Sequence, residues 1–296
     1  MNRVNYQKEL DKILEALEKE YAGSAAVKSE ADEQHGAKAQ RSPAERRGPD
    51  ERCGRVSGPD FAPVRKKLLL HSCCAPCSSY VLEYLSRYFD ITVFYYNPNI
   101  TQRGEYDRRV EEQGRLIRLM NEEKERTSRE EGKERPCVNG ILLEKGAYEP
   151  ERFFELAKGL EDVPEGGERC RRCYWLRLSE TARLAALGGY DYFTTTLTIS
   201  PMKNAGWLNE IGEQLAEAYH TSFLPSDFKK KNGYKRSVEL SEQYGLYRQD
   251  YCGCIFSKME RDKRHAQAEE RKGKDDEKNS GCDLGRDEER IPGGRI

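Results

Sequence analysis

The stretch that decides the fold is KKLLLHSCCAPCSSYVLEYLSRYF, residues 66–89. KKLLLH is a short apolar run of the kind used by a strand buried on both faces. PCSSYVLEYLSRYF reads as a helix, with Pro76 in the first turn, where a missing N–H is tolerated. Between them, Cys73, Cys74 and Cys77 stand where a strand hands over to a helix.

The same alternation continues downstream. DITVFYYNPNI is a second strand, ended by Asn97-Pro98. Residues 102–120 form a charged helix, and NEEKERTSREEGKERPCVNG is a hydrophilic inserted loop carrying Cys137. ILLEKGAY is a third strand and EPERFFELAKGL a helix. ERCRRCYWLRLSETARLAALGG is a helix that stops at Gly188-Gly189. YDYFTTTLTIS is a fourth strand, Ser200-Pro201 opens a helix to about Tyr219, and SFLPSDF is a candidate fifth strand. Strands alternating with helices predict an α/β fold: a Rossmann-like, mostly parallel sheet with helices on both faces. In such sheets the site forms at the carboxyl ends of the strands. HSCCAPC, NPNI and TLTISPMK all fall there.

Upstream, residues 1–21 read as an amphipathic helix, with Val4, Leu10, Ile13, Leu14 and Leu17 at helical spacing. Residues 22–65 lose that periodicity and read as a flexible linker. After residue 258 the chain is balanced in charge and reads as a disordered tail. The expected division is 1–65, helix and linker; 66–258, catalytic domain; 259–296, tail. Cys53 and Cys282 then count as bystanders.

Hydrophobic residues make up 36% and charged residues 35% of the 296 residues, which fits a chain only partly devoted to core. The net charge of −1 excludes a general polycation, so any nucleic-acid contact needs a local basic patch. The start carries no apolar leader, and no apolar run of about 18 residues exists, so a cytoplasmic protein without a membrane span is expected. Ten cysteines in such a chain read as metal ligands or redox groups rather than as a disulfide framework.

Seven of them fall in three groups: Cys73, Cys74 and Cys77; Cys170 and Cys173 in CRRC; Cys252 and Cys254 in YCGC. Buried packing, a structural zinc site and an iron–sulfur cluster held by Cys73, Cys74, Cys170 and Cys173 are the open readings. CGC is too tight for the usual zinc loop. Its two thiols can close a strained, easily reduced disulfide, with metal ligation as the alternative.

Six ordered motifs, HSCCAPC, FYYNPNI with EYDRR, CRRCYWLRLSETA, DYFTTTLTISPMK, FLPSDFKKKNGY and LYRQDYCGC, resemble the epoxyqueuosine reductase QueH family over about residues 66–258. The resemblance implies reduction of epoxyqueuosine to queuosine at the wobble position of tRNAs with GUN anticodons, those for aspartate, asparagine, histidine and tyrosine. It implies a [4Fe–4S] cluster on Cys73, Cys74, Cys170 and Cys173, and a redox-active pair in Cys252 and Cys254. A mononuclear iron or zinc beside the cluster is a further implied element. Cys77 and Asp227 are its candidate ligands, and Asp227 is alternatively a proton donor or a helix cap.

His71 reads as a strand-end residue held by a hydrogen bond, with metal ligation as the alternative. Arg169, Arg171, Arg172 and Arg177, then Lys229, Lys230, Lys231, Lys235 and Arg236, are candidate phosphate contacts. Tyr234, Tyr244, Tyr247, Tyr251 and Arg248 add stacking surface, and Tyr95, Tyr96, Asn97 and Asn99 are candidate pocket residues. No glycine-rich phosphate loop occurs, so no nucleotide cofactor is expected and electrons come from an external donor. The residues alone also admit a cluster-dependent sulfurtransferase, or a non-catalytic zinc-stabilised RNA-binding module.

Overall fold

The computed structural model describes residues 4–35, 65–130 and 140–280. Cys53, Cys137 and Cys282 lie outside the described residues. Four parallel strands, β1 (Lys66–His71), β2 (Phe89–Tyr95), β3 (Leu142–Lys145) and β4 (Tyr192–Thr195), lie in the order β3-β2-β1-β4. The helices are α1 (Tyr6–His35), α2 (Ala75–Leu85), α3 (Arg103–Glu130), α4 (Pro150–Ala157), α5 (Glu168–Leu187), α6 (Ala205–Tyr219), α7 (Gly233–Gln243) and α8 (Ile255–Ser280).

The LLL run explains the layering. Leu68, Leu69 and Leu70 are fully buried. Their side chains alternate between faces. Leu68 and Leu70 join a core with α1, α2 and α3, through residues such as Leu14, Leu82 and Leu116. Leu69 joins a second core with α5 and α6, through residues such as Leu178, Ala182, Leu208, Ile211 and Leu215. Both faces are therefore covered, as a continuous apolar strand requires. From β1 the chain builds outward through β2 to β3, then returns to place β4 on the other side of β1. The order reverses at β1, and the crevice between β1 and β4 opens at their carboxyl ends.

The structure departs from the sequence reading in several places. The fourth strand ends at Thr195 and Thr196–Ile199 is a 3-10 turn, and the helix expected from Ser200-Pro201 begins at Ala205. SFLPSDF makes one parallel bridge, Phe193 to Phe223, rather than a full strand, and Pro225 has no N–H with which to extend the ladder. α7 follows the KKKNG turn, where the sequence reading places no helix. At Gly233, which opens it, a Cβ would stand 2.0 Å from the Phe228 carbonyl oxygen, so only glycine fits. α1 runs on to His35 and α3 to Glu130, into segments that read as linker and loop. α8 spans Ile255–Ser280, in place of the expected disordered tail. These extensions are rich in Ala, Glu, Lys and Arg, which favour helix without supplying an apolar stripe. α1 also belongs to the core: Leu10, Leu14 and Leu17 are buried in it, and the Tyr21 hydroxyl accepts from the Lys66 N–H at 2.9 Å. Among the described residues no helix is long and apolar enough to cross a membrane.

Candidate active site at the carboxyl ends of the strands

The turn after β1 is held by short polar contacts. Ser72 Oγ donates to Gln113 Oε1 at 2.7 Å, and Asn97 Nδ2 donates to the Ser72 carbonyl at 2.8 Å. Cys74 is extended, and α2 starts at Ala75. This tight turn gathers the sulfurs of Cys73, Cys74 and Cys77 within 4.8 Å of one another, with Cys73 and Cys74 3.8 Å apart. Thiol donation from Cys74 and Cys77, helped by the Arg177 charge, holds the Cys73 thiol well below its usual range. Cys74 is pushed up to about 12, first by its hydrogen bond to Cys73.

The second group is assembled from distant parts of the chain. Cys170 and Cys173 lie in the first turns of α5, where the Gly166 N–H donates to Cys170 Sγ at 3.3 Å. Cys252 and Cys254 precede α8 with their sulfurs 3.5 Å apart. Gly253 has φ +108°, and a Cβ there would stand 2.8 Å from Ile100 Cγ1. Arg109 Nη1 and Asn99 Nδ2 each donate to the Cys252 carbonyl at 3.2 Å. A small cavity of about 20 Å³ is lined by all four of these cysteines. Donation from Cys254, then the Lys203 charge, lowers the Cys252 thiol well below its usual range, while Cys254 is driven up.

A larger cavity of about 330 Å³ is lined by Cys73, Cys74, Cys77 and Cys252. Buried Arg177 borders both cavities. Burial opposes its charge, but Cys173, Cys73 and Cys252, one from each thiol group, support it. Its Nη2 donates to Asn97 Oδ1, and its Nε lies 3.3 Å from His71 Nε2. His71 Nδ1 lies 2.8 Å from Thr195 Oγ1 and Nε2 3.1 Å from the Tyr96 carbonyl. Burial and then Arg177 lower its pKa to about 3, so His71 is neutral and both ring nitrogens are engaged. All seven cysteines in these groups are free thiols.

The other expected site residues divide between those at the cavities and those paired elsewhere. Asp227 lines neither cavity and pairs with Lys229 at 2.8 Å. Arg169 is buried; it donates to the Leu160 and Glu161 carbonyls at 2.8 and 2.9 Å and packs over the Phe256 ring. Arg172 pairs with Glu168, Lys231 with Asp11, and Arg236 with Glu83. Arg171 lies over the Trp207 ring. Tyr95 and Tyr96 are buried beside the site, and Asn99 lines the small cavity. Tyr244 donates to Glu123, and Tyr247 lies under Arg108. Tyr234, Arg248 and Tyr251 border the large cavity, whereas Lys230 and Lys235 are exposed on α7 and the turn before it. Sequence reasoning passed over Glu165, Lys203 and Arg109. Lys203 and Arg109 stand in quoted motifs, ISPMK and EYDRR, which was the available signal.

The epoxyqueuosine reductase QueH family matches residues 68–260. The chain belongs to this family. It is 45% identical over 197 residues to epoxyqueuosine reductase QueH of Staphylococcus epidermidis, covering 66% of this chain and 77% of that protein. It is 43% identical over 194 residues to the Streptococcus pyogenes protein of the same name, covering 66% and 71%. Against the Thermotoga maritima protein of that name the identity is 33% over 206 residues, covering 70% and 97%. The QueH match makes this chain an oxidoreductase, and it includes all three thiol groups while leaving α1 outside.

Proposed function

We propose that this chain reduces epoxyqueuosine to queuosine at the wobble position of tRNAs with GUN anticodons, the last step of queuosine synthesis, in the cytoplasm. The observation that carries the reading is Arg177: one buried guanidinium, flanked by thiols of all three groups, at the switch point of the sheet. Residues 66–258 are the proposed catalytic domain. The first turns of α8 add to it, since Glu260 meets Arg169 at 3.4 Å and Arg261 meets Asp250 at 2.7 Å.

The donor set fits a soft metal group: free thiols, buried or half-buried, beside a fixed positive charge. Cys73, Cys74, Cys170 and Cys173 would hold a [4Fe–4S] cluster, which supplies electrons one at a time. Cys77 stands with Cys73 and Cys74, as a ligand to a mononuclear iron or zinc would; Asp227, the other candidate for that role, is turned to Lys229.

Cys252 and Cys254 act as a dithiol. Their sulfurs are 3.5 Å apart, so closing a disulfide needs a small movement about Gly253. The disulfide forms as two electrons and two protons pass to the epoxide, whose oxygen leaves as water. An external electron donor then restores the dithiol. Asn99, just after β2, and Arg109 of α3 fix the backbone of this pair. The large cavity, bordered by Tyr234, Tyr251 and Arg248, receives the base.

Anaerobic protein incubated with epoxyqueuosine-containing tRNA tests this reading. Nucleoside analysis should find queuosine, and Cys252→Ser should stop its formation. A thionucleoside in its place would establish sulfur transfer, and a colourless zinc protein without conversion would establish a binding module.

A further inference from the structure

The proposed reaction releases protons in one place and needs them in another. Closing the disulfide from a Cys252 thiolate and a Cys254 thiol yields two electrons and one proton, and the second proton is the one the Lys203 ammonium already holds. Epoxide reduction consumes two electrons and two protons as the oxygen leaves as water, so the atoms and electrons balance. The sulfur proton arises at the small cavity, where Cys252 and Cys254 face Cys170 and Cys173. The oxygen departs in the large one, which has room for the base.

Among the described residues three border both cavities: Cys252, Arg177 and Lys203. Arginine does not give up its proton in proteins. Cys252 belongs to the pair itself. Tyr174 lines only the small cavity, and Glu165 and Asp250 only the large one. Among the described residues Lys203 is therefore the one proton carrier that bridges them.

We propose that Lys203 passes the proton of the Cys252–Cys254 pair and its own to the departing epoxide oxygen, with Glu165 fixing its ammonium. The inference rests on the reading of that pair as the reductant. Lys203 Nζ lies 3.1 Å from Glu165 Oε1, and the two side chains are only 9% and 12% exposed. An ammonium has three donors, so the Glu165 contact leaves others for sulfur and oxygen. The Lys203 N–H also closes a turn on the Ser200 carbonyl at 3.2 Å, just after the segment whose Thr196 hydroxyl touches Cys73. Burial works against the Lys203 charge, but Cys252 and Glu165 outweigh it and keep the group protonated. Disulfide closure removes the Cys252 contribution and loosens that proton.

The test uses the full-length, metal-loaded protein in anaerobic single turnovers, with iron analysis and titration of reactive thiols as controls. Lys203→Arg keeps the charge and the Glu165 contact but cannot deliver a proton. It should retain iron and both thiols and slow conversion about a hundredfold or more. Ethylammonium should restore part of the rate to Lys203→Ala. A Lys203→Arg rate within about threefold of the parent would overturn the relay, as would loss of its iron or a failed amine rescue. Cys252→Ser separates the two ideas. If that variant is inactive while Lys203→Arg is normal, only the relay fails; if it turns over normally, the dithiol reading fails and the relay with it.

Discussion

In space the three thiol groups form two clusters, built in different ways. Cys73, Cys74 and Cys77 come from one turn of five residues, and their sulfurs lie within 4.8 Å because the strand-to-helix turn leaves them little choice. Cys170, Cys173, Cys252 and Cys254 come from two segments far apart in sequence, and share a cavity where α8 is pinned against α5 and Arg109 and Asn99 hold the Cys252 carbonyl. Arg169 does the pinning, through Glu260 and the Phe256 ring. A local group tolerates change elsewhere in the fold; an assembled one depends on each contact that joins its halves. The charge follows the same division. Each cluster carries one thiol pulled low, Cys73 or Cys252, beside one pushed high, Cys74 or Cys254. Arg177 is common to both.

The largest expected effect separates the dithiol from the proposed [4Fe–4S] ligands, which are drawn from both clusters. Cys254→Ser should abolish conversion while iron stays, whereas Cys73→Ala or Cys173→Ala should lose iron and colour together. Iron loss in Cys254→Ser would mean that the pair is ligating. Next is the assembled half's dependence on its turn. Gly253→Ala puts a side chain at φ +108° and 2.8 Å from Ile100 Cγ1, a strain of about 1–3 kcal/mol. Conversion should drop while iron content stays at the parent level; an unchanged rate would show that the pair needs no fixed geometry.

The local group should withstand damage behind it. Leu14→Ala empties part of the core shared by α1 and α2 and should cost about 2–5 kcal/mol in denaturant unfolding. Iron content and turnover of the folded protein should not change. The smallest effect is expected at the KKK segment. Lys229 and Lys231 are paired with Asp227 and Asp11, so neutralising all three lysines should lower the salt slope of tRNA binding by about one unit at most, through Lys230. A change of about three units would mean that both ion pairs open on the RNA.

How much of this was legible in the sequence follows the same contrast. The LLL run, the Cys73–Cys77 turn and the helix of CRRCYWLRLSETA could be read locally, because burial on both faces, helix periodicity and terminal glycines leave marks in adjacent residues. The bridging roles of Arg169 and Arg177 could not. Both looked like phosphate contacts beside a CxxC, yet each is buried, one against α8 and the other between the cavities. Asp227 reads from the sequence as a metal ligand or proton donor or as a helix cap, and its chain position does not reveal the ion pair with Lys229 two residues on. The extensions of α1, α3 and α8 were missed for another reason: helix propensity without an apolar stripe has no period to detect.

The most direct test of this division of labour is iron, sulfide and nucleoside analysis on one variant, Cys252→Ser, purified anaerobically. The account predicts about four irons and four sulfides per chain, as in the parent protein, with epoxyqueuosine left unconverted in tRNA. Loss of the iron, or formation of queuosine at the parent rate, would contradict it.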